Sequence, residues 1–103
     1  MVSKQSKPKN GENMKRVRIF IWGDVQGKYF RAAIQEKAVM MDITGYVRNK
    51  DDGSVMAVLE GDEADIDDVI DFCKEGPRGA AVDDVDVVDE NYEGDYEDFE
   101  IRL

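Results

Sequence analysis

Two places in the chain carry residue types suited to binding and splitting a phosphate-bearing substrate. The first is Gly23-Asp24-Val25-Gln26-Gly27-Lys28-Tyr29-Phe30-Arg31, which joins an alternating apolar segment to a helical one. Glycines let the backbone turn so that successive N–H groups converge, and a helix start adds unpaired donors with a positive partial charge. Arg31, in the first helical turn, brings a fork of donors that matches phosphate oxygens. The second place is Asn49, whose uncharged amide can accept from a water and donate to an oxygen. Each has a plainer reading. Gly23 and Gly27 would also serve an ordinary turn, and an Asn before Lys50-Asp51-Asp52-Gly53 is common as a turn residue.

What the chain lacks narrows the chemistry further. It has no histidine, which removes the usual general base, the His-activated nucleophiles and the commonest metal ligand. Cys73 is the only cysteine, so no cysteine cluster can hold zinc, and its place on an apolar helical stripe reads as core. The late carboxylates show no calcium-loop spacing. No cofactor and no metal are therefore expected. The net charge of −10 opposes nucleic acid and anionic membranes as partners. Its acid is concentrated from Asp83 to Glu100, without a basic residue, and reads as a solvated surface. No apolar run approaches the roughly 20 residues of a membrane-spanning helix, and no signal-peptide pattern opens the chain. The expectation is a soluble, cytoplasmic monomer.

The elements that must position Arg31 and Asn49 follow from periodicity. Residues 1–14 are polar, carry Lys4, Lys7 and Lys9, and read as a disordered leader; 15–103 read as one domain. Val17, Ile19 and Ile21 alternate as in a strand, which Gly23 is expected to end. Phe30, Ala33, Ile34, Ala38 and Met41 fall at helical spacing. Gly45 to Asn49 reads as a second strand, and Asp52-Gly53 as a hairpin turn into a third over Ser54 to Glu60. A second helix over Ile66, Val69, Ile70 and Cys73 stops at Gly76-Pro77. Val85 and Val87 mark a fourth strand; Phe99, Ile101 and Leu103 mark a last one. The order is that of an α+β, ferredoxin-like βαββαβ fold, a mixed sheet with both helices on one face. In it the first two strands are parallel and end on one edge, which delivers Asn49 to the side where the loop and Arg31 lie.

Here the sequence resembles the acylphosphatase family. The loop is similar to that family's signature Gly-x-Val-Gln-Gly-Val-x-Phe-Arg, departing only at Lys28. Gly45-Tyr46-Val47-Arg48-Asn49-x-x-Asp52-Gly53-x-Val55 is similar to its second signature. The resemblance covers residues 15–103 and implies hydrolysis of acyl phosphates, with no metal, to carboxylate and orthophosphate. It implies that Arg31 and the backbone of Val25, Gln26, Gly27, Lys28, Tyr29 and Phe30 bind the phosphoryl group, and that Asn49 orients the attacking water. Lys28, a long cation where the family has a small apolar residue, motivates the alternative of a non-catalytic domain that binds an anion or a protein.

Overall fold

Alternation along the first strand gives it one apolar and one polar face, and the computed structural model, which describes residues 13–103, shows what each face meets. Strand β1 (Met14–Asp24) buries Val17, Ile19 and Ile21 completely. It is followed by α1 (Phe30–Met40), β2 (Thr44–Asn49), β3 (Val55–Asp62), α2 (Glu63–Glu75), β4 (Ala81–Glu90) and β5 (Phe99–Arg102). The sheet order is β4-β1-β3-β2-β5. Both β1 and β2 run antiparallel to β3, which lies between them, so they are parallel to each other and end on the same edge. The β2–β5 pairing is parallel, which makes the sheet mixed.

Both helices cover one face of this sheet. Phe30, Ile34 and Ala38 on α1, and Ile66, Val69, Ile70 and Cys73 on α2, fall at spacings of three and four and form one buried stripe per helix. These stripes share a single core with Val47, Val55, Ala57 and Leu59. The Asp62 side chain caps α2 by accepting from the Ala64 N–H at 3.1 Å, and Gly76, at φ 78°, ends it.

Two boundaries differ from the sequence reading. Gly23 does not end β1: the strand continues through a bulge between Trp22 and Gly23 and pairs with β4 as far as Asp24. A Cβ at Gly23 would lie 2.2 Å from the Ala81 carbonyl oxygen, so the glycine is there to admit the neighbouring backbone. At the other end, β1 opens at Met14, and the Asn13 carbonyl accepts from the Glu63 N–H at 3.0 Å. The rest of the expected leader lies outside the described residues.

The acidic stretch is also more than a solvated surface. On the sheet face away from the helices, Glu90 accepts from Arg16 Nε at 2.8 Å and from Arg18 Nε at 2.7 Å. Glu60, 1% exposed, accepts from the backbone N–H groups of Glu93 and Gly94. The two arginines hold the Glu90 carboxyl below its ordinary pKa of 4.5, Arg18 contributing most. A carboxyl lowered on folding stabilises the native state above its unfolded pKa, and that contribution is lost as pH falls through the lowered value. Glu90→Gln is therefore expected to be less stable than wild type near neutrality, and to lose stability less steeply below pH about 4.5. Urea titrations of both proteins across that range check this; parallel curves would contradict it.

Candidate active site

The loop between β1 and α1 is anchored at both ends by apolar side chains. Val25 is 1% exposed and Phe30 is 2% exposed. Between them Gly27, at φ 72°, and Tyr29, at φ 59°, both take the left-handed backbone region. For Tyr29 that conformation costs about 1 kcal/mol or more, held by the anchors on either side. Tyr29 is the N-cap of α1 and makes no side-chain capping bond, and the first turn carries no acidic residue. The helix therefore presents its leading N–H groups to whatever enters. A Cβ built at Gly27 meets nothing within 4 Å, so the backbone there faces open space.

That space is a cavity of about 370 Å³. Val25, Gly27, Tyr29, Phe30 and Arg31 line it from the loop and helix side, and Asn49 from the end of β2. The two residues suited to the chemistry thus face one volume although 18 positions apart in sequence. Arg31 donates from one terminal nitrogen to the Arg102 carbonyl at 3.4 Å, a long bond that leaves most of its fork for a ligand. The half-buried Asn49 is fixed through its backbone, opposite Val55 in the β2–β3 ladder.

Gln26 and Lys28, the other two loop positions, turn their side chains elsewhere. The Gln26 amide donates from Nε2 to the carbonyls of Lys50 at 2.7 Å and Ser54 at 2.8 Å, clamping the loop to the β2–β3 hairpin. That hairpin is closed by Lys50 N–H to Ser54 O at 2.9 Å. Asp52 Oδ1 accepts both the Ser54 N–H and hydroxyl, and these bonds pull the Asp52 carboxyl below its ordinary pKa. The Lys28 ammonium sits 3.5 Å from Asp24, half exposed, outside the cavity lining.

Ala32 and Ile101 also line the cavity, and the sequence pattern marks neither for it. Ala32 carries no chemical signal. Ile101 arrives because β5 pairs in parallel with β2, setting Ile101 opposite Val47, a register that alternation alone does not give.

Among the described residues, Arg31 is the one cation in this lining, which contains no carboxylate. Cys73 is buried in the core, and burial pushes its thiol up to about 12, which removes it as a nucleophile. Among the described residues no group of three or more His, Cys, Asp or Glu side chains is placed to hold a metal ion. The arrangement can hold an oxyanion and orient a water beside it.

Comparison with known proteins identifies the family. The family model described as Acylphosphatase matches residues 17–101. An acylphosphatase of Syntrophus aciditrophicus is 42% identical over 88 residues, 85% of this chain and 92% of that protein. One from Haloarcula marismortui is 46% identical over 87 residues, covering 84% and 94% of the two chains. The solved structure of an acylphosphatase from Coxiella burnetii superposes with a TM-score of 0.83 at 31% identity, covering 99% of this chain and 100% of that one.

The clamp makes a distinctive prediction. Gln26→Ala removes both donors and is expected to destabilise the domain by about 1–2 kcal/mol. Gln26→Glu has the same shape but sets an acceptor against two carbonyls, so it should cost more than the alanine change. Urea unfolding of the three proteins checks the ranking; a glutamate variant as stable as wild type would show that the clamp carries little.

Proposed function

The chain belongs to the acylphosphatase family, and we propose that in it Arg31 and the loop amides hold the phosphoryl group while Asn49 orients the attacking water. The reaction is hydrolysis of a carboxyl–phosphate anhydride, with a small-molecule acyl phosphate as substrate and orthophosphate as a product. The observation that carries the two roles is the shared cavity that Arg31 and Asn49 both line.

The water oxygen forms a bond to phosphorus as the bond from phosphorus to the acyl oxygen breaks. The departing oxygen keeps the electron pair and leaves as carboxylate. Charge on the equatorial phosphoryl oxygens is met by the Arg31 fork and by N–H groups at the loop and helix start. A carboxylate is a good leaving group, so positioning and charge stabilisation suffice without a histidine base. The water proton passes to a phosphoryl oxygen, so that acyl phosphate and water give carboxylate and dihydrogen phosphate. No cofactor enters this scheme.

The non-catalytic alternative is not favoured, because Lys28, which motivated it, pairs with Asp24 instead of occupying the cavity. No described helix is long and apolar enough to cross a membrane. A cytoplasmic, monomeric enzyme without nucleic-acid or membrane partners is the reading supported by the net charge of −10 and the single cysteine.

Arg31→Ala is expected to lower kcat/KM for acetyl phosphate by on the order of 10³ without unfolding the domain, and Arg31→Lys to recover little of it. Near-normal turnover in a folded Arg31→Ala protein would remove the role. Asn49→Ala should act mainly on kcat, by about 10²-fold, with inhibition by orthophosphate changed by less than about threefold. A raised KM at unchanged kcat would instead make Asn49 a ground-state binding residue.

A further inference from the structure

A hydrolase of acyl phosphates must also give the acyl half of its substrate a place to lie, and an acyl subsite has meaning only if the chain is such a hydrolase. A second cavity, about 560 Å³, shares Tyr29 and Ala32 with the first. It runs along one face of α1 past Ala33 and Glu36 to Val39 and Met40, a mostly apolar surface open to solvent and supplied by that helix and its N-cap. Over the stretch from Ala32 to Met40 the helix rises about 12 Å, the length of a medium straight acyl chain.

The core does not account for this row. Helix α1 buries Phe30, Ile34 and Ala38 on the opposite stripe, whereas Tyr29, Val39 and Met40 are 87%, 59% and 71% exposed. Apolar side chains scattered singly over a surface need no explanation, but a contiguous row leading out of a reaction cavity does. Gln35 turns its amide to the Phe99 carbonyl at 3.0 Å, and among the described residues Glu36 is the one charged side chain along the row. In-line displacement puts the leaving oxygen on the far side of phosphorus from the water. With that water at Asn49, on the sheet, the acyl oxygen departs toward the wall that α1 supplies, where the second cavity begins.

We propose that this groove is the acyl subsite, and that the substrates it selects are acyl phosphates of unbranched, medium-chain carboxylic acids. Glu36 disfavours acyl groups that carry a second negative charge. The groove acts by uniform binding: it holds substrate and transition state alike, so it lowers KM and leaves kcat unchanged.

The test compares acetyl, butanoyl and octanoyl phosphate on the full chain and on a Val39→Gln/Met40→Gln double variant. Glutamine keeps helix propensity and adds no charge near the phosphate. A fully buried methylene is worth about fourfold in binding, and a groove open on one side about twofold. Wild-type KM is therefore expected to fall at least about tenfold from acetyl to octanoyl phosphate, with kcat nearly constant. In the double variant the octanoyl KM should return to within about threefold of the acetyl value. Acetyl phosphate, whose two carbons stop short of Val39, should be unaffected. A KM independent of chain length, or a double variant that keeps the octanoyl advantage, overturns the proposal. So does a wild-type dimer that the double substitution splits while the chain-length series stays flat, since that gives the face to a second copy. Wild type that splits no acyl phosphate at all removes the hydrolase reading, whereas a flat series in an active enzyme removes only the subsite.

Discussion

Two hydrogen bonds from one side-chain amide hold the site together. Arg31 follows one loop and Asn49 precedes another, and the strands that deliver them, β1 and β2, are separated by β3. Two strand spacings are about 10 Å, so the distance between the two functional groups depends on how two loops stand to each other. Gln26 removes that freedom by donating to Lys50 and Ser54, the carbonyls at the two feet of the hairpin. Its side chain leaves the cavity in order to do so. Left-handed backbone at Gly27 and Tyr29 is tolerated for the same reason, because Val25 and Phe30 pin the loop into the core on either side. A reaction driven by positioning needs this rigidity before the substrate arrives, not after.

The charge distribution suits an anionic substrate despite the chain's overall −10. The acid-rich strand β4 occupies one edge of the sheet, with β1 and β3 between it and β2. At ordinary ionic strength, exposed charges farther away than about 8 Å are largely screened. Glu90, at the end of that strand, is engaged by Arg16 and Arg18 on the face away from the helices. On β5, next to the site, Glu100 is paired with Arg102 at 3.1 Å. Among the described residues the cavity lining carries one cation, Arg31, and no carboxylate, which suits an anionic group.

Most of the fold and the two central residues were legible in the sequence, because the information was local. Apolar spacing marked β1, β4, β5 and both helices, the Asp52-Gly53 turn marked β2 and β3, and the order of elements brought Arg31 and Asn49 to one edge. What escaped depends on register or on side-chain direction. Gly23 reads as a strand end, yet its missing side chain lets β4 come close, and the strand runs on. Gln26 sits inside a loop that reads as an anion cradle, and nothing in its type says that its amide serves the hairpin. Ile101 reaches the cavity only because β5 adds in parallel beside β2. Glu90 looks like one acid among many until β4 sets it opposite Arg16.

The central claim is that water, oriented at Asn49, attacks the phosphorus held by Arg31. Hydrolysis of acetyl phosphate in water enriched in oxygen-18, read by the isotope shift of the orthophosphate phosphorus resonance and by the mass of the acetate, tests it most directly. The mechanism predicts one labelled oxygen in each newly formed orthophosphate and none in the acetate. Label in the acetate, with unlabelled orthophosphate, would place the attack at the carbonyl carbon and contradict the assigned roles of Arg31 and Asn49.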